Sequence, residues 1–355
     1  MWWWVGSRRA QLAALGLCAG AALLLLHAPR APRPAPAPAP APAARNLTST
    51  TAAPAPAPAD NDTSPAPPPP PPPPPPRRDP RIIVTGNVYE AGHSRPRAER
   101  CPALGARLRL LVLVTSAPDH AAAREAVRLT WGHAAARRDV GFAFVLGTPD
   151  EAKAEAIRAE DELYGDIIIG NSRDSYSNLT LKTLSMLEWV DTYCPKVPRL
   201  LKTDDDMFIN IPRLLKFIDA RKNASRTIWG RVIKRSTPRR STKSKYYVSP
   251  LQYPPKVFPD FATGPAYLMT TDVVGELIKA AGQEPYLRLE DVFVTGVLAS
   301  KLKIKRQHAA EFYNKKVSYH PCTVQKGIAI HMVRFHEQFD LWRKLLDGKT
   351  KCAGT

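Results

Sequence analysis

From residue 108 onward the chain alternates short apolar runs with longer amphipathic stretches. Residues 108–115, Leu-Arg-Leu-Leu-Val-Leu-Val-Thr, form an apolar and partly β-branched run, the pattern of a parallel strand buried on both faces. The pattern then predicts a helix over 121–131 and a second strand over 140–146. Residues 151–164 read as helical and 166–169 as a short third strand. Leu181, Leu184, Leu187 and Val190 recur at the spacing of a helix that covers 178–193. Residues 198–203 predict a strand that ends in Asp204, Asp205 and Asp206. Strands alternating with helices predict an α/β fold, a mostly parallel sheet with helices on both faces. No internal repeat is present.

The N-terminal part has a different texture. Residues 12–26 are apolar and uncharged, preceded by Trp2–Trp4, Arg8 and Arg9 and followed by Arg30 and Arg33. We read 1–9 as a cytosolic tail and 10–27 as a signal-anchor transmembrane helix with an aromatic belt; the alternative is a cleaved signal peptide. Of 37 prolines, 22 fall in residues 28–80, ten of them consecutive at Pro67–Pro76. Such a segment is an extended polyproline spacer of about 3.1 Å per residue, so 28–105 is expected to be a luminal stem and 106–355 the catalytic domain.

Composition narrows the class. Of 355 residues, 44% are hydrophobic, which excludes a wholly disordered chain, and 19 glycines without a period of three exclude collagen. The excess of 51 Lys and Arg over 32 Asp and Glu, a net +19, admits nucleic acid, anionic membrane or an acidic small molecule as partner. Entry into the secretory pathway argues against nucleic acid. Sequons at Asn46, Asn61, Asn178 and Asn223 suit that route. Besides Cys18 in the apolar run, Cys101, Cys194, Cys322 and Cys352 form an even set for two disulfides in an oxidising lumen. Three pairings are possible; Cys322 with Cys352 is preferred because they bracket one C-terminal unit.

Candidate chemistry centres on Asp204–Asp206. Open α/β sheets bind ligands at the carboxyl ends of their strands. Adjacent carboxylates repel unless a cation joins them, and Mg²⁺ or Mn²⁺ takes such oxygens together with those of a substrate diphosphate. The alternative is a solvated acidic turn capping a helix that begins near Ile211.

The ordered set of motifs resembles the β1,3-glycosyltransferases, a family of galactosyl- and N-acetylglucosaminyltransferases. Arg124-Glu-Ala-Val-Arg-Leu-Thr-Trp-Gly132 is similar to its Arg-x-x-Ile-Arg-x-Thr-Trp motif. Asp174-Ser-Tyr-Ser-Asn-Leu-Thr-Leu-Lys-Thr183, Lys202-Thr-Asp-Asp-Asp-Met-Phe-Ile-Asn210 and Glu290-Asp-Val-Phe-Val-Thr-Gly296 follow in the family's order. Gly264-Pro-Ala-Tyr267 stands where the family carries Gly-x-Gly-Tyr. The C-terminal Ile328-Ala-Ile-His331, Trp342 and Cys352 resemble the galactosyltransferase branch.

The resemblance implies a GT-A-like nucleotide-sugar-binding sandwich in a type II Golgi membrane protein. It implies transfer from a UDP-sugar, UDP-galactose foremost, to an acceptor 3-hydroxyl with inversion. Asp204, Asp206 and His331 are then the expected ligands of Mn²⁺ or Mg²⁺, and Asp291 the general base. Arg124, Arg128, Asp174, Lys182, Lys202 and Asp205 are expected on the donor side, with salt-bridge or loop-ordering roles as alternatives. Trp229, Tyr246, Gly264, Tyr267 and Glu290 are expected to meet the substrates. Residues 231–245 hold seven Lys and Arg in fifteen and read as a solvated basic loop, with an anion-binding lid as the alternative. Rival readings are N-acetylglucosamine transfer, a catalytically silent carbohydrate-binding protein, and a phosphoryl transferase, the last lacking a Gly-rich phosphate loop.

Overall fold

The computed structural model describes residues 79–352. The expected tail, anchor, Pro-rich part of the stem, Asn46 and Asn61 lie outside the described residues. Eleven strands occur among the described residues: β1 (His93–Arg95), β2 (Leu110–Thr115), β3 (Val140–Thr148), β4 (Ile167–Arg173), β5 (Arg199–Asp204), β6 (Phe208–Ile209), β7 (Thr227–Ile233), β8 (Phe261–Thr270), β9 (Lys305–His308), β10 (Phe312–Tyr313) and β11 (Ala329–Ile330). The α-helices are α1 (Ala121–Arg128), α2 (Glu151–Tyr164), α3 (Leu179–Tyr193), α4 (Ile211–Asp219), α5 (Val274–Ala281), α6 (Ala299–Lys301), α7 (Pro321–Lys326) and α8 (Glu337–Leu345). A π-helical run, Val292–Leu298, leads directly into α6.

The large sheet has the order β1-β4-β3-β2-β5-β8-β7-β9. Its centre, β4-β3-β2-β5, is parallel, as is β7-β9, whereas β1 on β4, β5 on β8 and β8 on β7 are antiparallel. β2 explains the layering. Leu111 and Leu113 join α3, α5 and the 292–299 helix on one face, while Leu110, Val112 and Val114 join α1, α4 and α8 on the other. A strand apolar at both parities must be covered on both faces. The result is the expected α/β sandwich with helices on both faces, with an antiparallel component added at three junctions. Among the described residues no helix is long and apolar enough to cross a membrane.

The folded body begins before residue 106. β1 pairs with β4, Thr85 is buried, and Cys101 is disulfide-bonded to Cys194 at the end of α3. The polar texture of 81–105 hid this, because the segment is held by an edge strand and a crosslink rather than by an apolar run. Cys322 and Cys352 form the second disulfide, as expected.

Two local features set up the site. β8 bulges between its pairings Gly230↔Tyr267 and Val232↔Ala262, so on the β7 side residues 263–266 stand opposite the single residue Arg231, while Ala266 keeps its pairing with Thr203 of β5. Pro265, which lacks a ladder donor, sits in this bulge, where a proline is tolerated in a sheet. The aspartate triplet does not cap α4: Asn210 does, its side chain accepting from Arg213 N–H at 3.1 Å.

Candidate active site

Asp204 closes β5, and Asp205 and Asp206 form the turn into β6. The register pairs Thr115 of β2 with Asp204, so two strand ends meet at one place. From there the three carboxylates diverge. Asp204 Oδ1 accepts from Thr115 and from the Lys202 ammonium. Asp205 Oδ2 accepts from Ser116 Oγ at 2.6 Å and meets His120 Nδ1 at 2.8 Å. Asp206 Oδ2 faces His331 Nε2 at 3.3 Å. The small sheet β10-β11-β6 creates this last contact, since Ile330 pairs with Phe208 and Val333 N–H donates to the Asp206 carbonyl at 2.9 Å.

No group of three or more His, Cys, Asp or Glu is gathered for a metal among the described residues. The expected set of Asp204, Asp206 and His331 is therefore reduced to a pair, because Asp204 is turned to Lys202 and Thr115. That pair suits a divalent cation that completes its sphere from a diphosphate and water: one carboxylate, one imidazole, both partly open to solvent.

Behind the pair lies a buried charged network. Lys202 Nζ donates to Gly264 O at 2.7 Å and lies 3.9 Å from Glu290 Oε2. Burial works against its charge, yet Asp204 and Glu290 outweigh burial and hold its pKa above the ordinary lysine value. Tyr267 donates to Glu290 Oε1 at 2.7 Å. Asp291 is pinned by two backbone N–H groups, Gly264 at 3.0 Å and Val292 at 2.8 Å. Desolvation raises its pKa above the usual aspartate value although both N–H groups oppose the shift. Asp204 is raised by burial in the same way. The π-helical run that follows Asp291 is a departure common at functional sites.

Several expected substrate contacts are internal instead. Arg124 is 0% exposed, bonded to Glu160 at 2.8 and 2.6 Å and to Ser116 Oγ at 2.9 Å. Arg128 is enclosed by Glu160, Asp166 and the face of Tyr164. These guanidiniums brace α1 and the β2–α1 loop and do not open to a donor. Lys182 pairs with Asp174 at 2.7 Å and donates to Ser116 O at 2.6 Å, while Asp174 accepts from Gly147 N–H at 2.7 Å. This pair ties together the carboxyl ends of β2 and β3. Trp229 is buried against Phe217 and donates Nε1–H to Gln307 at 2.7 Å, so its ring has no face for an acceptor. Tyr267 is also buried, and its partner is Glu290. Of the sequons, Asn223 is exposed, whereas Asn178 Nδ2 donates to Arg173 O at 3.1 Å and Thr180 is buried.

Tyr246 remains on the surface, and the structure adds residues that motif reading passed over. Ser116 and His120 hold Asp205, and the only signal for them is that β2 and β5 end side by side. Tyr176, within the Asp174–Thr183 motif, is exposed; burial, Tyr246 and Asp291 raise its phenol pKa, and Lys245 and Arg288 oppose them. Tyr176 thus lies within electrostatic reach of Tyr246, Lys245, Arg288 and Asp291.

The galactosyltransferase family model matches residues 122–310, which contain β3 to β5, Asp204–Asp206 and Glu290–Asp291. The chain belongs to the galactosyltransferase family. It is 34% identical over 246 residues to "Beta-1,3-galactosyltransferase 5" of Mus musculus, covering 68% of this chain and 80% of that one. It is also 34% identical over 255 residues to "Lactosylceramide 1,3-N-acetyl-beta-D-glucosaminyltransferase" of Homo sapiens, covering 68% and 67%. Among solved structures, the apo bifunctional glycosyltransferase WbbM overlaps 69% of this chain and 50% of its own at 9% identity and a TM-score of 0.36. Within the β1,3-glycosyltransferases, this galactosyltransferase-family member is a hexosyltransferase, an enzyme of nucleotide-sugar donors and glycan acceptors.

Proposed function

We propose that the chain is an inverting, metal-assisted β1,3-galactosyltransferase. It moves galactose from UDP-galactose to the 3-hydroxyl of a terminal N-acetylhexosamine or related sugar on a glycoprotein or glycolipid. The observation that carries this reading is the state of Asp291: a carboxylate fixed by Gly264 and Val292 N–H, its pKa raised by burial, within electrostatic reach of the exposed Tyr176. Such a group is placed to take a proton.

Inversion requires one in-line displacement through an oxocarbenium-like transition state. Asp291 accepts the acceptor's hydroxyl proton while that oxygen forms its bond to the anomeric carbon. On the opposite face the sugar–phosphate bond breaks, and its electron pair leaves with UDP. Asp206 and His331 are the residues that would hold a divalent cation, which when bound neutralises charge developing on the diphosphate. Their mixed oxygen and nitrogen set favours Mn²⁺ over Mg²⁺. Lys202, Asp204 and Glu290 keep the floor of the site charged and hydrogen-bonded, and Lys202 fixes the Gly264 carbonyl. We place the body in the Golgi lumen as a type II membrane protein, anchored through residues 10–27. Two disulfides suit that oxidising compartment, and nucleic acid is no partner there.

A second reading, transfer of N-acetylglucosamine, is supported by the human relative at equal identity. A donor screen on the full chain separates the two, using Mn²⁺ and a simple β-GlcNAc acceptor with UDP-Gal, UDP-GlcNAc and UDP-GalNAc. β1,3-linked galactose in the product supports the first reading. Turnover of UDP-GlcNAc alone moves the chain to the second, and failure to bind UDP with metal rejects both.

A further inference from the structure

Residues 234–260, which join β7 to β8, contain seven Lys and Arg and a single acid, Asp260, the last residue before β8. Lys234, Arg235, Arg239, Lys243, Lys245 and Lys256 are exposed, and none forms an ion pair among the described residues. The connection nevertheless has a fixed shape. Val248 and Phe258 are buried, Val248 N–H donates to Arg239 O at 3.0 Å, and Phe258 N–H donates to Ser236 O at 2.8 Å. Arg240 donates to the carbonyls of Val248, Tyr253 and Pro255 at 2.9, 2.7 and 3.0 Å. An anchored loop that holds six exposed like charges outside any ion pair raises the local potential and attracts anions.

The same loop reaches the neighbourhood of Asp291 through Lys245. Arg288, two residues before Glu290, donates to the Lys245 carbonyl, and the Lys245 ammonium lies 4.9 Å above the Tyr246 ring. Tyr246 and Tyr176 are 46% and 59% exposed, and Lys245 stands by both, with Tyr176 in electrostatic reach of the candidate base Asp291. Aromatic rings pack on the C–H faces of sugars, and cations bind the groups those sugars carry.

We propose that this surface is the outer part of the acceptor site, built for an anionic glycan with sulfate or carboxylate groups on the sugars behind the terminal residue. The proposal rests on the transferase reading and narrows its acceptor class. Continuity of the cations with the two tyrosines and Asp291 favours a sugar chain over an anionic bilayer, which needs no aromatic opening.

The test uses the full chain, UDP-galactose and two β-GlcNAc-terminated trisaccharides that differ only in a sulfate on the penultimate sugar. At about 0.05 M salt the sulfated acceptor should show roughly tenfold higher kcat/KM, and the preference should shrink at about 0.3 M salt. Arg235→Glu/Arg239→Glu/Lys243→Glu should abolish the preference while the unsulfated acceptor turns over as in the parent protein. A charge-neutral version, Arg239→Gln/Lys243→Gln, repeats the test if the triple variant folds poorly. Equal kcat/KM for both acceptors overturns the proposal but leaves galactosyl transfer standing. If neither acceptor reacts, calorimetric titration with the sulfated trisaccharide decides: binding lost in the variant supports the proposal, and no binding overturns it. Variant-sensitive binding to phosphatidylserine vesicles without a sulfate preference overturns it in favour of a membrane surface. Failure of the transferase reading itself would appear separately, as absence of transfer from every donor.

Discussion

The Tyr267 hydroxyl donates to Glu290 Oε1 at 2.7 Å, and both side chains are buried beside Lys202. Desolvation, reinforced by Asp291 and Asp204 and opposed by Lys202 and Tyr267, pushes the Glu290 pKa up to about 7. Because the folded pKa lies above the unfolded one, the native state binds more protons between the two values. Stability therefore falls as pH rises from the ordinary glutamate range near 4.5 toward about 7, and levels off above, a change on the order of 3 kcal/mol. Glu290→Gln keeps an acceptor oxygen for Tyr267 and removes the titration. Thermal melts at acidic and mildly alkaline pH should show a flatter pH dependence for the variant; an unchanged slope would mean that Glu290 does not titrate there.

Asp291→Asn tests the proton acceptor with the side-chain volume kept. The amide keeps one oxygen for Gly264 or Val292 N–H and leaves the other N–H facing its NH2, so unfolding stability should fall by about 1–3 kcal/mol. Transfer should fall by about 10²–10⁴-fold while UDP binding persists. In the parent enzyme kcat/KM should decline as pH drops through the Asp291 pKa, placing the acid limb above the normal aspartate range. Wild-type-like turnover by the Asn variant would remove Asp291 from the mechanism.

Arg124 supplies a contrasting case. Its guanidinium is fully buried between Glu160 and the carbonyls of Ala117 and Pro118. Arg124→Ala leaves Glu160 with one fewer cation and should cost about 3–5 kcal/mol in denaturant unfolding. The donor KM of the folded fraction should stay near that of the parent. A raised donor KM with unchanged stability would instead put this side chain in the donor site.

The layered fold was legible because β2, β3 and β5 are apolar at both parities and stand between amphipathic helices, which leaves few alternatives to a covered parallel sheet. Asp291 and the strand-end aspartates were legible through motif order. What stayed hidden depends on side-chain direction. Nothing in Lys-Thr-Asp-Asp-Asp-Met says that the three carboxylates point to Lys202, to Ser116 with His120, and to His331. Aromatic character in Trp229 and Tyr267 suggested sugar stacking, but antiparallel pairing of β7 with β8 turns both rings into the interior. Likewise, Arg124 and Arg128 share a helical face that meets α2 and Asp166, a long-range contact with no local signature.

The Asp206–His331 pair gives the sharpest test of metal use. On the proposed ligand set of Asp206 and His331, most of the coordination would come from diphosphate and water, so cation and UDP should bind together and weakly apart. Calorimetry should show that Mn²⁺ tightens UDP binding in the parent chain and that this coupling is lost in Asp206→Ala. His331→Ala keeps the carboxylate and should weaken the coupling less, with excess Mn²⁺ restoring part of the activity. Asp204→Asn preserves an acceptor for Thr115 and Lys202 and should retain the coupling, because Asp204 faces those partners. Loss of coupling in Asp204→Asn with retention in Asp206→Ala would reverse the assignment and make Asp204 the metal ligand. UDP binding that ignores Mn²⁺ in every protein would leave Lys202 as the cation nearest the carboxylate cluster and point to a metal-free displacement.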